Sequence, residues 1–141
     1  MKYLPAAGVA TRVTGGGKAM HISKLQDLER FTTLDGSTIR EIAGPSWTPA
    51  RNQSLAEATV PHGGATTAHF HREAEELYFF TSGRGRLRIA DVERDVEPGD
   101  CAVIPPGTVH KLWNTGQDPL VLLCCCAPAY SHEDTVLLED A

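Results

Sequence analysis

The chain has 141 residues, 41% of them apolar and 22% charged, and its 13 basic and 18 acidic side chains give a formal net charge of −5. This balance is typical of one globular domain that buries a core without disulfide bonds. The mild negative charge argues against a nucleic-acid partner, because phosphate binding requires clustered Lys and Arg. No stretch reaches the ~18 apolar residues of a membrane span, and the N-terminus lacks a signal-peptide core. We therefore expect no membrane partner and a cytoplasmic location.

The first part of the chain predicts an arm followed by one short helix. Residues 1–20 are rich in small residues, and their "GGGK" run lacks the flanking residues of a phosphate-binding loop. In "SKLQDLERF", Ser23 is followed three residues later by Gln26, which is the pattern of a helix capping box. Apolar residues recur every three positions after Ser23 and form one narrow stripe. We predict a short N-terminal helix there.

The rest of the chain predicts strands separated by turns. The strand-like segments, in chain order, are STIREIAG, NQSLAEATV, HFH, ELYFF, RLRIA, VERDV, CAVIP, HKLWN and PLVLLCCCA. Gly- or Pro-containing turns separate them at intervals of 8 to 12 residues, which favours an all-β sandwich or barrel. We expect one domain over residues 21–128, with the acidic tail 129–141 packing back as a short arm.

The four cysteines predict neither a zinc ribbon nor a dithiol redox motif. They are Cys101 and the consecutive Cys124, Cys125 and Cys126, and no C-x-x-C spacing occurs. Successive strand side chains point to opposite faces, so neighbouring cysteines are poorly placed to bridge each other. We interpret the triplet as buried strand filler, with a redox or ligand role as the alternative.

Two histidines stand two residues apart in "TTAHFHREAEELYFFTSG", at residues 66–83. On a β-strand, residues i and i+2 point the same way, with Cα atoms roughly 7 Å apart. Two imidazoles at that spacing can bind one ion at metal–nitrogen distances near ~2.0–2.1 Å. The spacing of His69 and His71 therefore allows both imidazoles to coordinate the same ion, although such a pair alone is weak evidence of a metal site.

Longer patterns surround this pair. Residues 63–83 fit G-x5-H-x-H-x4-E-x6-G, and residues 99–114 fit G-x5-P-x-G-x2-H-x3-N, both without a gap. In these two motifs the sequence resembles the cupin superfamily. The resemblance covers residues 63–114 and implies a small antiparallel β-barrel of the cupin or jelly-roll type that holds one divalent metal. Carried over position by position, it implies four ligands: His69, His71, Glu76 and His110.

The spacing also separates the two neighbouring glutamates. Only Glu76 has six residues between it and Gly83, and strand alternation places Glu75 on the opposite face. We expect Glu75 to be solvated or paired with an Arg. Three imidazoles and one carboxylate suit a divalent transition metal, and Fe, Mn, Ni, Co and Zn all remain open.

Strand alternation suggests two catalytic candidates near this metal. Tyr78 shares the face of Glu76, so its hydroxyl could act as a general acid. Glu57 lies in another predicted strand. If its face points inward, Glu57 becomes a second carboxylate near the metal and a candidate base.

Further residues are candidates for substrate binding. Arg40 could hold a substrate carboxylate through two hydrogen bonds, although pairing with a surface acid is the alternative. The other expected contacts are Gln53, Phe80 and Leu112, the last two as apolar walls.

The resemblance implies a metal-dependent enzyme that acts on a small organic substrate. This substrate could bear a carboxylate. The enzyme's reaction would be that of a dioxygenase, an isomerase, or a lyase or tailoring enzyme. One alternative is a non-catalytic barrel that binds a sugar-like ligand as a sensor, and another is an accessory subunit. By analogy with other cupins we expect a homodimer, with the arm before Ser23 covering a sheet edge.

Overall fold

The structure, a computed structural model, describes residues 20–138. Its single helical element is a 3-10 turn, Leu25–Asp27, and the remaining elements are strands. In chain order the strands are β1 (Phe31–Thr32), β2 (Thr38–Ala43), β3 (Ser54–Val60), β4 (His69–His71), β5 (Glu75–Ser82), β6 (Gly85–Ile89), β7 (Val92–Val96), β8 (Cys101–Ile104), β9 (His110–Asn114), β10 (Leu120–Ala127) and β11 (Thr135–Leu137).

The strands form two antiparallel sheets that face each other. The six-stranded sheet has the order β1-β2-β3-β10-β5-β8, and the five-stranded sheet has the order β11-β4-β9-β6-β7. Every strand pair is antiparallel, and many neighbours in the sheets are distant in sequence, as in a jelly roll. The prediction of an all-β, cupin-type jelly roll is confirmed.

The predicted N-terminal helix is reduced to one turn. The Ser23 hydroxyl does not cap a helix, because it donates a hydrogen bond to the carbonyl of Ile42, 2.8 Å away in β2. The turn Leu25–Asp27 has Lys24 at its N-cap position and no side-chain capping bond. Packing of this segment against the sheet therefore outweighs the local capping pattern. The predicted arm falls on residues 1–19, which lie outside the described residues.

The core fills one end of the space between the sheets. Its largest fully buried side chains belong to both sheets and include Phe80, Ile104, Leu112, Leu120 and Leu122. Alternation explains the burial: in β5 every second residue from Glu76 to Phe80 is buried, and the residues between them are exposed. At the other end of the same strand this inward face carries polar residues, and there the candidate site begins.

Two glycines of the motifs occupy positions that a side chain would disrupt. Gly83 has φ +85°, and a Cβ atom there would lie 2.5 Å from the Pro119 carbonyl oxygen. Gly107 has φ +72°, and its N–H donates a 2.6 Å hydrogen bond to the carbonyl of His71. The Gly107 turn is thus tied to the strand that carries the first two histidines, just before β9 begins at His110.

The C-terminal strand closes the five-stranded sheet beside the histidines. β11 pairs with β4 in the register Thr135↔His71 and Leu137↔His69. The Asp134 carboxylate accepts hydrogen bonds from the backbone N–H groups of Glu73 (2.8 Å) and Ala74 (3.0 Å).

Within the described residues, no helix has the length and hydropathy that crossing a bilayer requires.

Candidate metal centre

Four side chains predicted as metal ligands meet in the space between the sheets. They are His69, His71, Glu76 and His110; all four are buried, and one ligand atom from each lies within 4.8 Å of the others. The Glu76 Oε1 atom is 3.2 Å from His71 Nε2 and 3.3 Å from His110 Nε2. This group could bind a metal ion.

Strand geometry explains the convergence. His69 and His71 are the two inward residues of the three-residue strand β4, and His110 is the direct cross-strand partner of His69. Glu76 projects from the opposite sheet, because β5 belongs to the six-stranded sheet. The centre is therefore assembled from both layers of the fold.

In each of the three histidines, the Nδ1 atom already has a hydrogen-bond partner. His69 Nδ1 lies 2.7 Å from the Thr67 carbonyl, His110 Nδ1 lies 3.0 Å from the Thr108 carbonyl, and both nitrogens donate. His71 Nδ1 lies 3.0 Å from Thr135 Oγ1, a hydroxyl that donates its own proton to the Ser131 carbonyl. These bonds leave the lone pair of each Nε2 facing the centre, which is the arrangement of metal-binding histidines.

The two oxygens of Glu76 have different partners. Oε1 faces the histidines, and Oε2 accepts a hydrogen bond from the Cys126 thiol at 3.1 Å. Burial would raise the pKa of the Glu76 carboxyl, but contacts with His110 and His71 hold this pKa well below its usual range. Glu76 is therefore a carboxylate with one oxygen directed at the histidine nitrogens.

The residues present fit a divalent transition metal. His110 Nε2 is buried and has no hydrogen-bond partner within the described part of the chain, although it lies 3.3 Å from Glu76 Oε1. A buried nitrogen without a partner costs free energy, and coordination to an ion would remove that cost. Imidazole and carboxylate donors suit the ions that the sequence left open, which are Fe, Mn, Ni, Co and Zn.

Metal affinity is expected to fall as the pH is lowered. Burial would lower the pKa of His71, but its hydrogen bond to Glu76 and the charge of Glu76 raise this pKa above the ordinary 6.5. A metal must displace that proton, so the apparent affinity decreases by up to about tenfold per pH unit below the raised pKa and levels off above it. Titration with Co²⁺ against a competing chelator between about pH 5 and 8 measures this slope. A constant affinity over the whole range would contradict the prediction.

Cys126 is expected to position Glu76. Burial and the negative charge of Glu76 raise the pKa of this thiol, so it stays protonated and donates to Oε2. Changing Cys126→Ala should lower metal affinity by up to about tenfold and shift the Co²⁺ absorption spectrum, because partners of ligands orient them. The variant Cys126→Ser retains a donor and should stay close to wild type. Cys101→Ala, at an exposed site, is the control. Wild-type affinity and spectrum in Cys126→Ala would refute this role.

A cavity opens beside the ligand cluster, and His69, His71 and Glu76 line it. Its space, counting solvent at the mouth, is about 660 Å³. Apolar walls are supplied by Phe31, Ile39, Leu112 and Leu122. Tyr78 also lines it, and the Tyr78 ring stands edge-on to His110 with centroids 5.8 Å apart. Burial and the nearby Glu76 charge raise the pKa of Tyr78 well above its ordinary value, so the phenol stays protonated.

Three residues predicted near the substrate lie elsewhere. Arg40 and Glu57 are cross-strand partners on the outer face of the six-stranded sheet, where Arg40 Nη2 lies 2.5 Å from Glu57 Oε1. Gln53 is exposed and accepts a weak contact from Cys125 Sγ at 3.8 Å. The inward residues of β3 are Ser54, Ala56, Ala58 and Val60, so the face carrying Glu57 is the outer one. This correction removes the reason for expecting a carboxylate-bearing substrate.

The two predicted apolar walls have different positions. Leu112 lines the cavity, as expected. Phe80 does not, because it lies farther along β5, is 0% exposed and belongs to the core. Phe80 therefore forms part of the core and does not supply a wall of this cavity. Glu75 is exposed on the other face of β5, as alternation predicts.

Several cavity residues were missed by the sequence analysis. Asp35 lies in the turn between β1 and β2, with Oδ2 3.9 Å from His69 Nε2. Tyr130 follows β10, and its ring lies edge-on to His71 at 5.9 Å. Cys124 and Cys126 both line the cavity, so these two cysteines face the centre rather than only filling a strand. For these two cysteines the sequence offered one signal. Alternation along the CCC run predicts that Cys124 and Cys126 share a face.

Comparison with known proteins gives relatives of the same architecture. A protein of Methanocaldococcus jannaschii, described as uncharacterized, is 46% identical over 112 residues, covering 79% of this chain and 90% of that protein. Glucose-6-phosphate isomerase of Pyrococcus horikoshii is 28% identical over 81 residues, which are 52% of this chain and 43% of the isomerase. This chain therefore spans less than half of that enzyme.

A solved structure shows the same fold. Oxalate decarboxylase of Lactobacillus farciminis, in complex with formate, superimposes with a TM-score of 0.70 at 24% identity, over 82% of this chain and 35% of that chain. At this identity the likeness shows the fold alone. The model of the cupin domain family matches residues 56–126, half of the chain, including both motifs and the four clustered side chains. The chain belongs to the cupin family.

Proposed function

We propose that this protein is a metal-dependent enzyme that transfers protons on a small organic substrate, as an isomerase or a lyase. The observation that carries the proposal is the group of three histidines and one glutamate, of which His69, His71 and Glu76 line a cavity together with Tyr78. A buried cluster of ligand-competent residues that opens to a cavity is the usual place for metal-assisted chemistry.

The side chains at the site have separate roles in the proposed reaction. His69, His71, His110 and Glu76 would hold the ion, which when bound polarises a substrate carbonyl or hydroxyl. Tyr78 would donate a hydrogen bond to the substrate oxygen, because burial and the nearby Glu76 charge raise the pKa of the phenol and keep it protonated. The apolar walls that include Leu112 and Leu122 exclude bulk water from this step.

The relatives give the proposal partial support. The related sequence from Pyrococcus horikoshii is named as an isomerase, which is one of the two reaction types proposed here. A dioxygenase is the runner-up, since the same ligands suit Fe(II), and a non-catalytic binding barrel is the third candidate. The cytoplasmic location and the lack of a nucleic-acid partner stay predictions from the sequence.

Metal analysis and a reactivity panel together test the proposal. Protein purified without chelators should contain about one divalent ion per chain. On a panel of small aldoses, ketoses and hydroxy compounds, it should catalyse either an isomerisation or an elimination reaction. It should do so without taking up oxygen. Tyr78→Phe should retain the metal and lose about 10²-fold or more in kcat. Oxygen uptake with Fe(II) would favour the dioxygenase instead. Metal binding without turnover of any compound would favour the binding barrel.

We also propose that the protein is a homodimer. Two adjacent rows of side chains on the outer face of the six-stranded sheet are largely apolar. One row joins Cys125, Leu77 and Val103, and the next joins Leu123, Phe79 and Cys101. Leu77, Phe79 and Val103 are 36%, 43% and 56% exposed. An apolar sheet face of this kind is typical of an interface between subunits.

Charge placed on this face should dissociate the dimer. Phe79→Lys is expected to convert the protein to a monomer, because a buried unpaired ammonium at an interface is costly. Sedimentation velocity or light scattering measures the mass. Val92→Lys, at a 60% exposed residue of the other sheet, is the matched control and should leave the dimer intact. A monomeric wild-type protein, or a dimer that Phe79→Lys leaves intact, would contradict the proposal.

A further inference from the structure

Two of the four cysteines lie beside the ligand cluster. Cys124 and Cys126 both line the cavity, whereas Cys125, between them in β10, belongs to the outer face of the sheet. The pairing of β10 with β5 is regular over this stretch, because its one register shift falls between Val121 and Leu122. Alternation therefore sends the first and third thiols of the triplet in the same direction, into the cavity.

The spacing of these two thiols suits one shared ion better than a disulfide bond. Residues i and i+2 of a strand have Cα atoms roughly 7 Å apart, at the far limit for a disulfide. A thiolate binds a metal at about 2.3 Å, so two sulfur atoms on opposite sides of one ion stand about 4.6 Å apart. Two parallel side chains reach that separation when each sulfur leans toward the other by about 1 Å. Cys124 and Cys126 are thus spaced for linear coordination of a soft ion.

Glu76 makes the position beside Cys126 favourable for a cation. The Cys126 Sγ atom lies 3.1 Å from Glu76 Oε2, the carboxylate oxygen that does not face the histidines. The two residues are cross-strand partners and are 3% and 5% exposed. An ion bound to Cys126 would therefore lie near a negative charge where little water screens the attraction.

Ordinary thiol chemistry does not suit these two cysteines. Burial raises the pKa of both thiols, and the charge of Glu76 raises each pKa further, so both stay protonated. Alkylating agents and peroxides react with the thiolate, so they should attack the exposed Cys101 first. A soft ion differs from these reagents, because a coordinating thiol gives up its proton to the bond with the metal.

We propose that Cys124 and Cys126 form a second ion site, which binds one soft divalent cation of the Hg²⁺ type through two sulfur atoms. Both S–H bonds break, two S–metal bonds form and two protons pass to solvent, so the ion and its two thiolates are together neutral. Loss of the Cys126 proton also removes the hydrogen bond to Glu76 Oε2. Occupation of the sulfur site therefore disturbs a ligand of the histidine and glutamate centre. This inference is independent of the proposed function, since it needs neither a substrate nor a reaction.

Retention of Hg²⁺ against a competing monothiol tests the site. Protein as purified is mixed with an equal amount of Hg²⁺ in about 1 mM 2-mercaptoethanol, desalted and analysed for mercury. Two thiols held on one strand act together at a high effective concentration, whereas a lone thiol competes as a single ligand. The wild-type protein should retain about one ion per chain, and Cys124→Ser and Cys126→Ser should each retain about tenfold less or lower still.

Two variants outside the cavity are the matched controls. Cys125→Ser removes the middle thiol of the same run, Cys101→Ser removes the exposed one, and both should retain Hg²⁺ as the wild type does. Circular dichroism checks that all four variants keep the all-β fold, and an alanine at the same position replaces a serine variant that does not. The site would be wrong if the wild type retained no Hg²⁺, or if Cys125→Ser lost as much of the ion as Cys124→Ser.

The effect on the neighbouring centre has its own measurement. In wild-type protein loaded with Co²⁺, one equivalent of Hg²⁺ should change the Co²⁺ absorption spectrum, because Glu76 loses its thiol partner. The same addition to Cys124→Ser should change it far less. A Co²⁺ spectrum that stays constant while Hg²⁺ is retained would overturn the coupling between the two sites.

Discussion

Replacing His110 with alanine is expected to lower the affinity for divalent metal by more than about a hundredfold, because it removes a ligand at the middle of the cluster. His110 is 1% exposed, and its Nε2 atom has no hydrogen-bond partner among the described residues. Loss of the ring leaves two histidines and Glu76, so a bound ion would lose one of its four protein ligands and be held more weakly. Metal content after dialysis against a weak chelator measures the effect.

A control and a fold check make this result interpretable. His62→Ala removes an exposed histidine whose Nδ1 donates to the Gly116 carbonyl, outside the centre, and should leave metal binding unchanged. Circular dichroism on both variants should give the all-β spectrum of the wild type. The four-ligand centre would be wrong if folded His110→Ala retained the metal with wild-type affinity.

Replacing Phe80 with alanine is expected to destabilise the protein by about 3–5 kcal/mol while leaving the ligand cluster in place. Phe80 is 0% exposed, and its ring meets that of Tyr78 edge-on with centroids 6.2 Å apart. Removal of the ring leaves a cavity between the two sheets that neighbouring side chains fill only in part. Urea unfolding of the metal-free protein gives the free energy directly.

The comparison variant for Phe80 is Leu34→Ala. Leu34 is 41% exposed in the turn between β1 and β2, so its loss should change the free energy of unfolding by less than about 1 kcal/mol. Equal losses of stability in the two variants would show that Phe80 is not a core residue. If Phe80→Ala is too unstable to purify, Phe80→Leu should show a smaller loss in the same direction.

Much of the strand pattern follows from local sequence. The alternation of apolar and polar residues in segments such as ELYFF and HKLWN predicts both their extended form and the residues that point inward. In β5 this alternation separates Glu76 from Glu75, as the structure has it. The four residues of the cluster were implied by the resemblance of the two motifs to the cupin superfamily, which carries the ligands over position by position.

The residues that sequence analysis misplaced depend on packing between distant segments. Alternation divides β3 into two faces, but it does not indicate which face meets the other sheet, so Glu57 was a candidate only if its face pointed inward. Ser23 has a capping pattern, yet the Ile42 carbonyl competes for its hydroxyl. Asp35 reaches the site because the Thr67 N–H holds its carbonyl, across 32 residues of chain that no local pattern spans.

The hydroxyl that supports His71 has a consequence for how the protein matures. Thr135 supplies the acceptor for His71 Nδ1, and Asp134 holds the loop between His71 and Glu76 through two backbone hydrogen bonds. His71 therefore depends on a residue that follows it by 64 positions, whereas His69 and His110 hydrogen-bond to carbonyls just before them in the chain. A chain that lacks residue 134 and beyond would lack the groups that fix His71, so this ring is oriented only after β11 has paired with β4.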